Sequence, residues 1–552
     1  MKSFLPSLSF AKITIFLFSF VLVASADRSH EGFLKCLTTS TSKSNSTFIP
    51  KSIIYTPNKL SYSTILNSTT QNPRFLSSPT RDPIVIVTPF HTSHIKTSID
   101  CSKKHGVQMR IRSGGHDYEG LSYMSNVTFF ILDLRNLSSV DIDLESKAAW
   151  VQAGVTLGEL AYWIDKKSKT LGFPGSVCHT VCVGGQLGGG GYGYSTRKYG
   201  LASDHILDAQ LMDAEGRILD RKSMGEDLFW AIRGGGLGSF GIVLAWKIQL
   251  VDVPPTLTVI EAMRKWEDNA TKKFFHRYQR RCNKIDKDLS LFVSFRTMST
   301  VDKEGNNKTE MGTLVTALFH GKQDRLLPLM QKEFPELGLL KEECKEMTWI
   351  QTILYFNIFR NGESSDALLN RTVHFDFMAF KLKSDYVKKA IPDDAFEKLL
   401  GRLYEEAVGQ GYVELFPYGG KMDQIPESAI PFPHRAGNLY NLRYMVSYED
   451  DGNITKTNKH LSWVRSVYND MTPYVSSNPR GAYQNFRDLD IGVNPNKGYT
   501  KSNYDYDYVK QASIWGTKYF KNNFYRLVYV KTMVDPTNFF VYEQSIPPFF
   551  PR

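Results

Sequence analysis

The sequence predicts an α+β protein of two lobes. Glycine-punctuated, β-rich segments run to about Val253, and beyond Pro254-Pro255 longer amphipathic helical stretches alternate with strands. The length, 552 residues with 42% hydrophobic and 13% aromatic content, suffices to bury more than one core.

The elements follow in order. Residues 1–26 place Lys2 and Lys12 before an apolar stretch from Ile13 to Val23, then Ala24-Ser25-Ala26, the pattern of a cleaved secretory leader. No later apolar run reaches the length of a transmembrane helix, so no membrane span is expected. A polar Ser/Thr-rich stretch from Thr38 to Ser46 precedes PIVIVTP, whose β-branched residues predict a strand. A helix carrying Ile95, Ile99 and Cys101 leads to the strand VQMRIR and the loop SGGHDYEG. FFILDLRN, AAWVQAG and IVLAWKIQLV continue the first lobe. In the second lobe, helices are expected over Arg264–Cys282, Asp324–Phe334 and Asp393–Val408, with strands at LSLFVSF and GTLVTALFH. From about Tyr483 the chain returns to short motifs, and no helix is assigned there.

Charge and cysteines narrow the function classes. The formal net charge of +11 is dispersed among acidic residues, and no aromatic and basic interleaving suggests nucleic-acid binding. The six cysteines lack zinc-site spacing, and in an oxidising compartment a disulfide such as Cys36 to Cys101 is expected. Sequons at Asn45, Asn67, Asn126, Asn136, Asn269, Asn307, Asn370 and Asn453 behind a leader predict a secreted, glycosylated chain.

Three glycine clusters, SGGHDYEG, GGQLGGGGYGYS and IRGGGLGSFG, suit close approach of backbone N–H groups to an anionic ligand such as a pyrophosphate. None has the G-x-G-x-x-G spacing of a Rossmann site. The ordered set Arg112-Ser113-Gly114-Gly115-His116-Asp117, FPGSVC, GGGGYG, RKYGLASDHI, MGEDLFWAIRGGG, PFPHRAGNLYNLRY, RDLDIG, DPTNFF and QSIPP resembles, over nearly the whole chain after the leader, the plant berberine bridge enzyme-like family. Within that family it is similar to the cannabinoid acid synthases and to the FAD-containing Diels-Alderases. The resemblance implies a two-lobed FAD-linked oxidase fold of the PCMH, or vanillyl-alcohol-oxidase, type. Its split FAD domain would comprise residues 27–253 (core about 78–253) and a C-terminal segment 476–552 that returns to it, with an α/β substrate lobe over residues 254–475. The substrate sheet would cover the reactive face of the flavin.

By the same resemblance, FAD is bonded covalently through His116 and Cys178. Arg112, Ser113, Gly114, Gly115, Asp117, Gly189, Gly190, Gly191, Tyr192, Gly241, Val243, Tyr483 and Asn485 are its expected contacts. His179, Cys182 and Gln186 stand where proline, glycine and histidine are common in the family, and Val181 matches members that react readily with oxygen. The tyrosine base of relatives falls on Phe486, and a glutamate used by others falls on Asn441; neither side chain here titrates. Arg443, two residues past Asn441 on the same strand face, is a rigid donor suited to a carbonyl or phenolate oxygen. Arg296, Ser294 and Tyr418 complete the expected pocket, with a surface ion pair the competing reading of Arg296. No metal site is expected.

These features predict a redox-neutral [4+2] cyclase, a Diels-Alderase, with Arg443, Arg296 and Tyr418 acting on small phenolic substrates: a diene from a prenylated phenol and a chalcone-like enone. The alternatives are an oxidase with another base, such as Tyr418, Tyr192 or the ionised substrate, passing electrons to oxygen, or a flavin-bearing binding or storage protein. The leader directs the chain to the secretory pathway, and so to the apoplast or the vacuole.

Overall fold

The computed structural model describes residues 30–39, 49–76, 82–301, 304–372, 378–405, 410–495 and 506–549. The leader 1–26 and Asn45 lie outside these residues. Besides a two-stranded ribbon of Leu171–Gly172 and Val251–Asp252, the first lobe holds two larger sheets. In one, the strands Ile86–Val87, Phe129–Asp133 and Gln108–Arg112 run parallel, with Ile54–Tyr55 antiparallel at the edge. The other is a five-stranded antiparallel sheet centred on Ile242–Gln249. The helix Thr92–His105 connects the first sheet's strands and buries Ile95 and Ile99, and its Cys101 is disulfide-bonded to Cys36.

The second lobe is a seven-stranded sheet in the order Cys344–Met347, Leu257–Lys265, Asn307–Phe319, Leu289–Val301, Gln410–Pro417, Tyr440–Tyr448, Ala379–Val387, every neighbouring pair antiparallel. Alternation sorts its residues. Val413, Leu415, Tyr440, Leu442, Tyr444 and Val446 join an apolar core with Phe274, Leu399 and Val464 from three helices, Asn269–Arg281, Asp393–Glu405 and Ile454–Asp470. The intervening residues face the first lobe. The first of these helices starts later than its apolar periodicity suggests, because the preceding strand stays paired as far as Lys265, opposite Gly312.

The C-terminal segment is more helical than its sequence indicates. Tyr506–Phe520 and Asn523–Val534 are α-helices, and Trp515, Tyr519, Phe524 and Leu527 pack into the same core as Val151, Phe229 and Trp246 of the first lobe. Lys531, fully buried, donates to Asp535 (2.7 Å) and to the carbonyls of Ser239 and Phe540. Among the described residues no helix is long and apolar enough to cross a membrane, and no cluster suited to a metal ion occurs.

Between the lobes runs a buried ionic network. Asp488 accepts from Lys381 (2.7 Å) and Lys383 (2.5 Å), Lys381 also meets Glu119, Glu119 meets Arg74 (2.6 Å), and Asp490 meets Lys383 (3.1 Å) and Arg465 (2.9 Å). The seven-stranded sheet, the loop after the SGGHD motif and the RDLDIG motif are thereby tied together. Replacing Asp488 leaves each buried ammonium with fewer carboxylates, Lys381 with Glu119 and Lys383 with Asp490, so Asp488→Asn is expected to lower unfolding free energy by about 3 kcal/mol. Chemical denaturation checks this, and a loss under 1 kcal/mol counts against the network's structural role.

His320, at the end of the Asn307–Phe319 strand, is buried beside Lys198, and burial first, then that charge, lowers its imidazole to about 3. The unfolded chain takes up this proton near pH 6.5 and the native state does not. Stability is therefore full above about pH 6.5 and falls as pH drops toward 3, by about 2 kcal/mol between pH 7 and 5 for this one group. His320→Gln is expected to flatten the stability profile between pH 7 and 5 by that amount in denaturation measured at both pH values.

Candidate active site

A cavity of about 810 Å³ lies between the lobes, within the roughly 300–1,000 Å³ range of small-molecule and cofactor sites. One half is backbone-rich. Ser113, Gly114, Gly115, His116 and Asp117 enter it from the loop after the Gln108–Arg112 strand, and Gly189, Gly241 and Val243 line it from two further segments. Gly115 has φ +71°, and a Cβ there would sit 1.8 Å from the Thr69 carbonyl oxygen, so no other residue fits this turn. A Cβ on Gly189 would sit 1.9 Å from Asn485 Oδ1, so the missing side chain admits Asn485, whose amide donates to the Gln186 carbonyl at 2.9 Å.

His116 and Cys178 meet at one hydroxyl. Thr180 Oγ1 lies 2.9 Å from His116 Nε2 and 3.3 Å from Cys178 Sγ. Burial lowers the His116 imidazole to about 4, so it is neutral at physiological pH with a lone pair available on one ring nitrogen. Tyr483 OH accepts from the backbone N–H groups of Gly191 (2.9 Å) and Tyr192 (3.2 Å), which fixes the GGGGYG turn under the C-terminal segment.

The cavity also exposes polar atoms that the protein itself leaves without a hydrogen bond: Gln186 Oε1 and Nε2, Arg110 Nε and Nη1, and Arg487 Nη1, all buried. Unpaired buried groups of this kind are costly and call for a polar ligand. Guanidinium donors, glycine-lined backbone and a neutral amide together fit an FAD with its pyrophosphate and its flavin ring edge.

The other half belongs to the seven-stranded sheet. Arg443, Met445 and Ser447 of one strand and Gln410, Tyr412 and Glu414 of its neighbour line it, opposite Phe486 and Tyr118. Arg443 and Glu414 are direct cross-strand partners, and Arg443 Nε donates to Glu414 Oε2 at 2.6 Å, with Nη2 on the same oxygen. The Arg443 guanidinium lies 4.9 Å from the Phe416 ring centre and 5.4 Å from that of Phe486, and Phe486 lies parallel to Tyr118 at 5.8 Å. Burial raises the Tyr118 phenol, an effect that the Arg443 charge opposes.

Several expected residues lie elsewhere. Arg112 is fully buried against Asp133 (2.7 Å), its cross-strand neighbour, and donates to the Ile65 and Leu66 carbonyls, so it braces the loop instead of reaching the cavity. Arg296 is exposed, because it lies past Phe295, the last residue of its strand paired with Gln410–Pro417. Ser294 is half-buried opposite Glu414 and does not line the cavity. Asn441 sits deeper along its strand, with its amide donating to the Asp385 carbonyl at 2.9 Å. Tyr418 lies behind Tyr192, stacked on it at 5.6 Å and bonded to Tyr386 OH, and burial raises both Tyr418 and Tyr192 phenols. Gly190 and Gly191 shape the turn, with φ of +120° and +81°, without lining the cavity. Glu414, Tyr118 and Arg110 went unnamed in the sequence. For Glu414 the signal was present: in GYVELFP it alternates with Val413 and Leu415, which face the helical core.

Residues 83–221 match the family model "FAD binding domain" and residues 482–547 the model "Berberine and berberine like". The chain is 48% identical over 547 residues to cannabidiolic acid synthase-like 1 of Cannabis sativa, covering 97% of each chain. It is 46% identical over 528 residues to tetrahydroberberine oxidase of Berberis wilsoniae, covering 96% of each. The fold matches the solved structure of BBE-like #28 from Arabidopsis thaliana with a TM-score of 0.83 at 45% identity, over 94% of this chain and 100% of that one. It also matches Phl p 4, a grass pollen allergen with glucose dehydrogenase activity, with a TM-score of 0.84 at 39% identity, over 94% of this chain and 100% of that one. The architecture is the FAD-binding PCMH-type oxidase fold.

Proposed function

Because the chain belongs to the berberine bridge enzyme-like family of FAD-dependent oxidoreductases, we propose that its cavity is the active site of a flavoenzyme of plant specialised metabolism, and that it joins two phenolic partners by a redox-neutral [4+2] cycloaddition. One observation carries the finer reading: the Arg443 guanidinium beside aromatic rings on the cavity wall, with Phe486 on that wall and Asn441 deeper along the strand leaving the two usual base positions without a titratable group. FAD, when bound, supplies a hydride acceptor and a flat aromatic wall. Arg443 donates hydrogen bonds to the enone oxygen of a chalcone-like partner and so lowers its acceptor orbital, while Tyr118 and Phe486 align a diene derived from a prenylated phenol.

A second reading rests on Glu414. Its carboxylate on the same wall supplies a base for an oxidase that dehydrogenates one prenylated phenol with oxygen as the final acceptor, in line with the oxidase and dehydrogenase names among the relatives. Anaerobic mixing of the holoenzyme with a prenylated phenolic diene, a chalcone, and both separates the two. Cyclisation gives an unchanged flavin absorption band and a product at the summed mass, and bleaching by one substrate alone overturns it. In that assay Arg443→Lys, which keeps the charge and loses the fork, is expected to lower kcat about 10²-fold.

The shared contact of His116 and Cys178 with Thr180 supports two covalent bonds to FAD. Acid-precipitated protein is then expected to stay yellow, with single replacement of either residue retaining the flavin and the double replacement releasing it. Colourless wild-type precipitate would exclude both bonds.

A secreted glycoprotein remains the reading of the leader and sequons, with residence in the apoplast or vacuole. Asn67, Asn126, Asn269, Asn307, Asn370 and Asn453 are exposed, whereas Asn136 is half-buried with its amide on the Thr88 carbonyl at 2.9 Å. Endoglycosidase treatment of protein expressed in plant tissue is expected to reduce its mass, with Asn136 the site least modified.

A further inference from the structure

We infer that Glu414 is a specificity-determining residue that makes the substrate half of the cavity select neutral carbonyl-bearing phenols and refuse their carboxylated counterparts. The inference rests on this half being the substrate pocket of the proposed function, but not on which reaction follows.

Arg443 taken alone would be an anion receptor, a planar cation set against aromatic faces. Glu414 cancels that role. The two residues are opposite each other in register on adjacent strands, and both Nε and Nη2 converge on the single oxygen Oε2. Oε1 is left without a hydrogen bond among the described residues. The side chains are 18% and 27% exposed, so a ligand reaches both.

The unbonded donors of the remaining cations are the ones that fit the FAD pyrophosphate. The other charged side chains on the cavity wall are Arg110, Asp117 and Arg487; Arg487 is paired with Asp117 (2.7 Å) and Arg110 with Glu543 (2.7 Å). Lys381 and Lys383 belong to the opposite face of the sheet and are held by Asp488. An incoming carboxylate therefore meets Glu414 at close range, with Arg443 already paired, and must be desolvated against aromatic walls. A neutral ligand meets complementary groups instead: the free Oε1 accepts a phenolic O–H, and Arg443 Nη1, which Glu414 leaves unbonded, donates to a carbonyl oxygen. A hydroxyl and a carbonyl on one face of an aromatic ligand match this pair.

Equilibrium dialysis of the holoenzyme with 2,4-dihydroxybenzoate and with its methyl ester at pH 7 tests this without turnover, so failure of the cyclase reading leaves the result interpretable. The wild type is expected to bind the ester at least tenfold more tightly than the acid. Glu414→Gln, which keeps the shape and removes the charge, is expected to shift that ratio at least tenfold toward the acid, and adding Arg443→Gln to abolish the shift. Equal binding of acid and ester by the wild type, tighter binding of the acid, or an unchanged ratio in Glu414→Gln would overturn the inference. Should Glu414→Gln not fold, the wild-type ratio alone decides.

Discussion

Asp488 is held by two ammonium groups of the seven-stranded sheet, and through Lys381 it shares charge with Glu119 of the first lobe. Its backbone is fixed as well: the N–H donates to Tyr519 OH at 3.0 Å, and the carbonyl accepts from Gln544 at 2.9 Å. The two preceding residues are set in place by this anchor. Phe486 turns to the cavity and Arg487 reaches Asp117, the neighbour of His116. Without the buried charges, the C-terminal segment has no fixed register against the sheet, and the cavity between the lobes loses a wall. Like-charged lysines two residues apart on one strand are tolerable only with these carboxylates between them.

The sheet adds a second level of order. Because alternate residues of Tyr440–Tyr448 are committed to the helical core, Arg443 has no freedom to point elsewhere, and its cross-strand partner is fixed by register to Glu414. The polar chemistry of the pocket thus depends on apolar residues on the far side of the same strands. Tyr192 and Tyr418 show the converse: rich in hydroxyls, they are packed too deeply to ionise readily and behave as a wall.

Much of the fold was legible where local chemistry dominates. A β-branched run marked the strand around Val85, apolar runs marked those around Ile131 and Leu291, and alternation placed Arg443 on one face with Asn441. What stayed hidden depended on pairing. Arg112 adjoins the SGGHD loop in sequence, but its strand neighbour Asp133 claims the guanidinium. Arg296 has the correct face on the correct strand and the wrong depth, since pairing with the neighbouring strand stops at Phe295 and Val413 while that strand runs on beside Tyr440–Tyr448. The C-terminal helices were missed because their aromatic and β-branched residues have weak helical preference; burial against the first lobe, not propensity, makes them helical.

The shared core of the first lobe has a consequence for biosynthesis. Val151 and Trp246 are packed with Trp515 and Leu527, hundreds of residues later in the chain. Such long-range contacts carry a large loop-closure entropy and form late. During translation the first lobe therefore emerges with its apolar face open, and it waits through synthesis of the entire second lobe for the helices that close it. The chain cannot mature lobe by lobe from its N-terminus, and a truncation near its end is felt first at its beginning.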